Sequence, residues 1–265
     1  MLFSAFCLLH TAFSLMNYRL LLQYDGTDFR GWQMQDELRT VQGELTRVLS
    51  LLDGRDVTVH GSGRTDAGVH AEGQVASVSL QRKITPQKLR NAINGNLAPD
   101  VRVLFADPVP DDFHARYSAR NKTYVYRVIH GPVVSPFWAR FAYQEARPLD
   151  LELMRRCARL FPGEHDWTAF SAAQSDAESR VRTIESLEIA SGWNARGRCH
   201  LIEMTVSANG FLRYMVRSIA GTLLAVGRGE IAEETVAKAI RKGDRALVGA
   251  TAPAHGLTLK SVKYD

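Results

Sequence analysis

Gly61-Ser62-Gly63-Arg64-Thr65-Asp66-Ala67-Gly68-Val69-His70 lies between two strand-like runs, 56–60 and 74–80. Its three glycines allow positive φ and close approach of the backbone to a ligand. Arg64 and Asp66 are its only formally charged side chains. A connection with so little bulk and so selective a charge reads as a site carried on a rigid scaffold. The competing reading is a hairpin connection in which Asp66 satisfies turn amides.

The runs on either side set the fold class. Residues 18–24 read as a buried strand closed by the turn pair Asp25-Gly26. Leu38, Val41, Leu45, Val48, Leu49 and Leu52 recur at helical spacing, which predicts a helix over 38–52. Thr85-Pro86 opens a second helix, reaching about residue 94, and 101–106 is a strand. The polar, proline-containing stretch 107–112 closes a first half, 16–112. A second half, 113–265, starts with a strand over 122–129 that places Tyr124, Tyr126 and Val128 on one face. Helices over 151–161, 211–226 and 231–241 follow, with strands at 181–190, 200–207 and 256–264. Strict βαβ alternation is absent from both halves. The expected class is therefore α+β, with two α/β halves of mainly antiparallel sheets flanked by helices.

The chain has 265 residues, 45% of them hydrophobic, enough for a substantial core. A formal net charge of +5 permits a polyanionic partner without establishing one. Cys7, Cys157 and Cys199 are odd in number and far apart, with no CxxC pair. That argues against a disulfide framework or a zinc–thiolate site and fits a reducing cytosol. Residues 1–15 are apolar and contain no Lys or Arg. They lack the charged leader of a signal peptide and fall short of the roughly 20 residues of a membrane span. The expectation is that Met16 is the true start and 1–15 an upstream extension.

Three side chains stand out as candidates for chemistry. Asp66 has no cluster of His, Asp or Glu at ligand spacing nearby, and His60 and His70 match no standard metal site. Gly61-x-Gly63 does not continue as a dinucleotide fingerprint, because Asp66 occupies the last position. A carboxylate acting alone remains, held ionised by Arg64 or by a distant arginine. Arg217 lies in the apolar helix, opposite Leu212, Met215, Ile219 and Val226 and beside Ala220 and Gly221, small residues that leave room for close approach. A buried guanidinium needs an anionic partner, for which Asp66 is a candidate that spacing alone does not join to it. A snorkelling arginine is the alternative. Tyr124 is either a packed strand residue or a platform for a nucleobase. Basic residues with interleaved tyrosines (Arg116, Tyr117, Arg120, Lys122, Tyr124, Arg127) are compatible with RNA contacts, as are Arg180 with Arg182, and Arg241 and Lys242 with Arg245. A solvated charged face would look similar.

From about residue 17 to the end the chain resembles the bacterial tRNA pseudouridine synthase A family. Six ordered motifs carry the resemblance: Tyr24-Asp-Gly-Thr-Asp-Phe-Arg-Gly-Trp-Gln33, the 61–70 loop, Phe113-His-Ala-Arg-Tyr-Ser118 with Lys122-Thr-Tyr124, Asp166-Trp-Thr-Ala-Phe170, Phe211-Leu-x-x-Met-Val-Arg217 and Ala252-Pro-x-His-Gly256. The resemblance implies isomerisation of uridine to pseudouridine at positions 38, 39 and 40 of the tRNA anticodon stem-loop. It implies two similar halves with an active-site cleft between them, a cytoplasmic homodimer and no cofactor or metal. By position, Asp66 matches the catalytic aspartate and Arg217 the arginine paired with it. Tyr124 matches the tyrosine at the target base, and Arg64 the loop arginine associated with binding and flipping the nucleotide. Residues 1–15 have no counterpart in the family pattern.

Two other readings compete. A non-catalytic RNA-binding protein with RRM-like halves should carry an RNP-like aromatic motif, and none is present. A hydrolase with an aspartyl nucleophile should place a second carboxylate or an oxyanion motif near Asp66, and neither is visible.

Overall fold

The computed structural model describes residues 15–174 and 178–265. The expected extension lies outside the described residues up to residue 14, and Cys7 lies there with it. Ten strands form one sheet: β1 (Met16–Tyr24), β2 (Val59–Gly61), β3 (His70–Leu80), β4 (Val101–Pro108), β5 (Asn121–His130), β6 (Tyr143–Glu145), β7 (Gly163–Asp166), β8 (Val181–Asn194), β9 (Cys199–Ala208) and β10 (Leu257–Lys263). Five helices pack on it: α1 (Val41–Asp53), α2 (Pro86–Asn96), α3 (Leu151–Ala158), α4 (Met215–Gly227) and α5 (Glu233–Lys242).

The strand order is β4-β1-β3-β10-β5-β9-β8-β7, with β2 on β3 and β6 on β5. Pairing is antiparallel except for β10 with β3 and β5 with β6. The last strand therefore joins the early strands to the late ones in a continuous sheet. This register positions the site. Leu259 of β10 lies opposite Ala71 on one side and Tyr124 on the other. The 61–70 loop thus re-enters the sheet beside Tyr124.

Local signals explain most boundaries. Thr40 accepts the Gly43 amide on its hydroxyl, so α1 starts at Val41 and not at Leu38, which is exposed. Gly54 closes α1 in the left-handed conformation. β3 is apolar or small at most positions and buried along nearly its whole length, as a strand covered on both faces should be. Helix α4 begins four residues later than its apolar run predicts. Tyr214 takes φ +66°, which ends any helix reaching back to Phe211. Every residue of α4 is buried except Arg217.

Candidate active site

Asp66 and Arg217 meet. Arg217 Nη1 donates to Asp66 Oδ2 at 2.9 Å, and both side chains are largely covered. Arg217 Nε donates to the Ala252 carbonyl at 2.8 Å, while the Ala252 amide donates to the Arg217 carbonyl at 3.0 Å. The guanidinium is thus aimed from two directions and does not snorkel. Close approach of the 249–252 segment makes this possible. A Cβ on Gly221 would stand 1.9 Å from the Ala250 carbonyl oxygen. Arg217 also lies over the Tyr214 ring, 5.1 Å from its centroid.

The loop is braced from below by polar groups. Tyr24 Oη and Thr65 Oγ1 share a hydrogen bond of 2.9 Å. Gln74, fully buried on β3, accepts from Ser62 Oγ at 2.6 Å and donates from Nε2 to the Gly63 carbonyl at 3.0 Å. The Trp32 amide donates to the Thr65 carbonyl at 3.0 Å, and the Val69 amide to that of Asp66 at 3.1 Å. Of the loop's three glycines only Gly68 uses positive φ (+79°), whereas Gly61 is required because a Cβ would enter the Trp32 ring. The loop is therefore held by its own backbone partners before any ligand arrives.

Tyr124 packs edge-on against Phe211 with ring centroids 5.1 Å apart. Burial raises its phenol far above the usual range, and the neighbouring Tyr24 and Asp66 charges add to that. Burial also pushes Tyr24 up to about 12. Both rings stay neutral at physiological pH and present hydroxyls, not phenolates. Arg64 is exposed at the outer side of the loop and donates from Nε to Gln33 Oε1 at 3.1 Å.

The basic groups divide. Arg120 pairs with Asp265 at 2.7 Å, and Arg127 is largely covered between Glu72 (2.8 Å) and Glu203 (2.9 Å). Arg127 thereby ties β5 to β3 and β9, whereas the Arg120–Asp265 pair stays exposed to solvent. Arg180 and Arg245 are held by carbonyl and hydroxyl oxygens, and the Arg180 charge also acts on the nearby Asp166 carboxylate. Among the described residues, no three His, Cys, Asp or Glu side chains are grouped as a metal site. No described helix is long and apolar enough to cross a membrane.

Sequence reasoning missed the supports. Gln74 is a polar residue inside a strand run otherwise apolar or small, and that was its available signal. Tyr24, Trp32 and Ala252 carried none outside the motifs that contain them.

A family model described as tRNA pseudouridine synthase matches residues 21–118 and 157–265. The tRNA pseudouridine synthase A of Solibacter usitatus is 45% identical over 249 residues, covering 93% of this chain and 98% of that protein. That of Allorhizobium ampelinum is 41% identical over 250 residues, covering 93% and 94%. That of Halalkalibacterium halodurans is 44% identical over 239 residues, covering 90% and 89%. On these matches, and with the mixed α/β fold just described, the chain belongs to the tRNA pseudouridine synthase family.

Proposed function

We propose that this protein isomerises uridine to pseudouridine at positions 38, 39 and 40 of the tRNA anticodon stem-loop, with Asp66 as the catalytic group. The observation that carries the reading is the Asp66–Arg217 ion pair at 2.9 Å in a half-covered site on a braced loop. The reaction breaks the N1–C1′ bond and forms a C5–C1′ bond. The C5 proton is lost and N1 gains one, so substrate and product are isomers and no redox partner is needed.

An ionised carboxylate has three openings to this chemistry: attack at C1′, attack at C6, or removal of the C2′ proton. Arg217 aims the carboxylate in each through its 2.9 Å contact. The target base is stacked in its stem, so it is flipped out at a cost of a few kcal/mol. Tyr124 then packs against the flipped base, and Arg64 binds the displaced nucleotide from the loop's outer side. The protein works in the cytoplasm as a homodimer, as the family resemblance implies.

The test is incubation with unmodified tRNA carrying uridines at positions 38 to 40, followed by chemical mapping of pseudouridine. Signal confined to those positions supports the reading. Binding of tRNA without modification would favour an RNA-binding protein instead.

A further inference from the structure

Three cations converge beside the Asp66 loop without a carboxylate among them. Lys122, the second residue of β5, donates from Nζ to the Ser62 carbonyl at 2.6 Å. The ammonium is mostly covered. Burial first, then the charges of Arg116 and Arg182, bring it down to about 8. Geometry places both guanidiniums on this side of the loop: Lys122 pairs in register with Ala208, two residues before the Gly210 that borders Arg182, and the His114 ring, two residues before Arg116, lies 4.7 Å from the His60 ring of β2. Arg116 comes from the connection between β4 and β5, which is pinned where the Ala115 amide donates to Ser77 Oγ (3.1 Å) and Tyr264 Oη to the Ala115 carbonyl (2.6 Å). Arg182 comes from β8, with Nη1 tied to the Ser179 and Val181 carbonyls at 2.9 and 2.6 Å. No ion pair joins any of the three to a carboxylate among the described residues.

Like charges brought together and partly desolvated destabilise a free protein. Such a group is normally matched by an anion. The bare positions around it fit that role. A Cβ on Gly63 would stand 3.3 Å from Lys122 Nζ, and one on Gly210 would stand 3.4 Å from Arg182 Nε. At those points each cation borders a glycine. Lys122 uses one proton on Ser62 and keeps two. Among the described residues, Arg182 Nε and Nη2 have no hydrogen-bond acceptor.

We propose that Lys122, Arg116 and Arg182 form a cradle for one RNA phosphodiester, next to the nucleotide that reaches Asp66. The proposal rests on the reading of this site as one that modifies RNA. Ser62 and Gly63 lie within four residues of Asp66 in the loop, so a phosphate held there fixes the strand close to the reacting base. A non-bridging oxygen accepts from the ammonium and a guanidinium in charge-assisted hydrogen bonds. The cradle reads backbone and not sequence, and it sets position.

The experiment measures binding of an unmodified anticodon stem-loop RNA by fluorescence anisotropy across a salt series. It compares wild type, Lys122→Met and the double variant Arg116→Gln/Arg182→Gln, with folding checked by circular dichroism. The double variant is expected to bind roughly tenfold more weakly, with the log–log salt slope reduced by about one for each cation removed. KM should rise while kcat at saturation holds. A scan with single methylphosphonate linkages should show one linkage whose neutralisation weakens wild type about tenfold and the double variant, which keeps only Lys122 there, by clearly less. Wild-type affinity and slope in the double variant, or equal penalties for both proteins at every linkage, would overturn the cradle. Wild type that binds no RNA would overturn it as well. Wild type that binds but forms no pseudouridine would sink the proposed function alone, and the salt slopes would still judge the cradle.

Discussion

Arg217 and Asp66 are 151 residues apart in the chain and 2.9 Å apart in space, on an arginine whose Nε is already committed to the Ala252 carbonyl. The pairing makes the carboxylate's direction a property of helix α4 and the 249–252 segment as much as of the loop itself.

Arg217→Met leaves the Asp66 carboxylate half-covered and unmatched. Turnover is expected to fall roughly a hundredfold or more, with stability lower by about 1–3 kcal/mol. Arg217→Lys keeps the charge but cannot serve both the carboxylate and the carbonyl, so it should restore stability better than turnover. Single-turnover kinetics and urea unfolding of the two variants check this together.

Gly221→Ala places a methyl group 1.9 Å from the Ala250 carbonyl oxygen. The 249–252 segment must move, at a cost of about 1–3 kcal/mol or more, and it takes the Ala252 anchor of Arg217 with it. The melting temperature and the turnover should fall together. Gly192→Ala, in an exposed part of β8 with nothing within 4 Å of its Cβ, should change neither.

Tyr124→Phe keeps the edge-on contact with Phe211 and removes only the hydroxyl. Stability should stay within about 0.5 kcal/mol, while turnover falls about tenfold or more with KM little changed. Wild-type turnover in this variant would reduce Tyr124 to a packing residue.

Lys122 gives the RNA interaction a pH dependence. Its ammonium is charged below about 8 in the free protein, and a bound phosphate would draw that value upward. Affinity should therefore be full below pH 8 and decline above it. Arg116 and Arg182 face it. Tyr264, whose Oη is bonded to the Ala115 carbonyl, is held as a phenol by burial. Lys122→Met should bind more weakly and show a flat profile between pH 7 and 9 in the same anisotropy assay.

Elements with a local signal were legible in the chain. The 3.6-residue period found α1, Thr85-Pro86 found α2, and the apolar runs found β1, β5 and β9. The start of α4 was not legible, because Tyr214 adopts a left-handed backbone that no apolar pattern announces. The central place of β10 was not legible either, since strand order depends on contacts remote in sequence. Arg127 reads like an RNA contact because its partners Glu72 and Glu203 come from other strands. The Asp66 loop stood out by its glycines and its two charges. Of its supports, Gln74 shows only as a polar residue in an apolar or small strand run, and Tyr24 is hidden, because a buried hydrogen-bonding tyrosine looks like a packing residue.

Asp66→Asn tests the central claim most directly. The variant keeps the size of the side chain and a hydrogen-bond acceptor for Arg217, and it removes the charge. Wild type and variant would be compared for tRNA binding and for pseudouridine at positions 38 to 40. The account predicts that binding persists and that pseudouridine appears with wild type alone. Wild-type levels of pseudouridine from Asp66→Asn would contradict it.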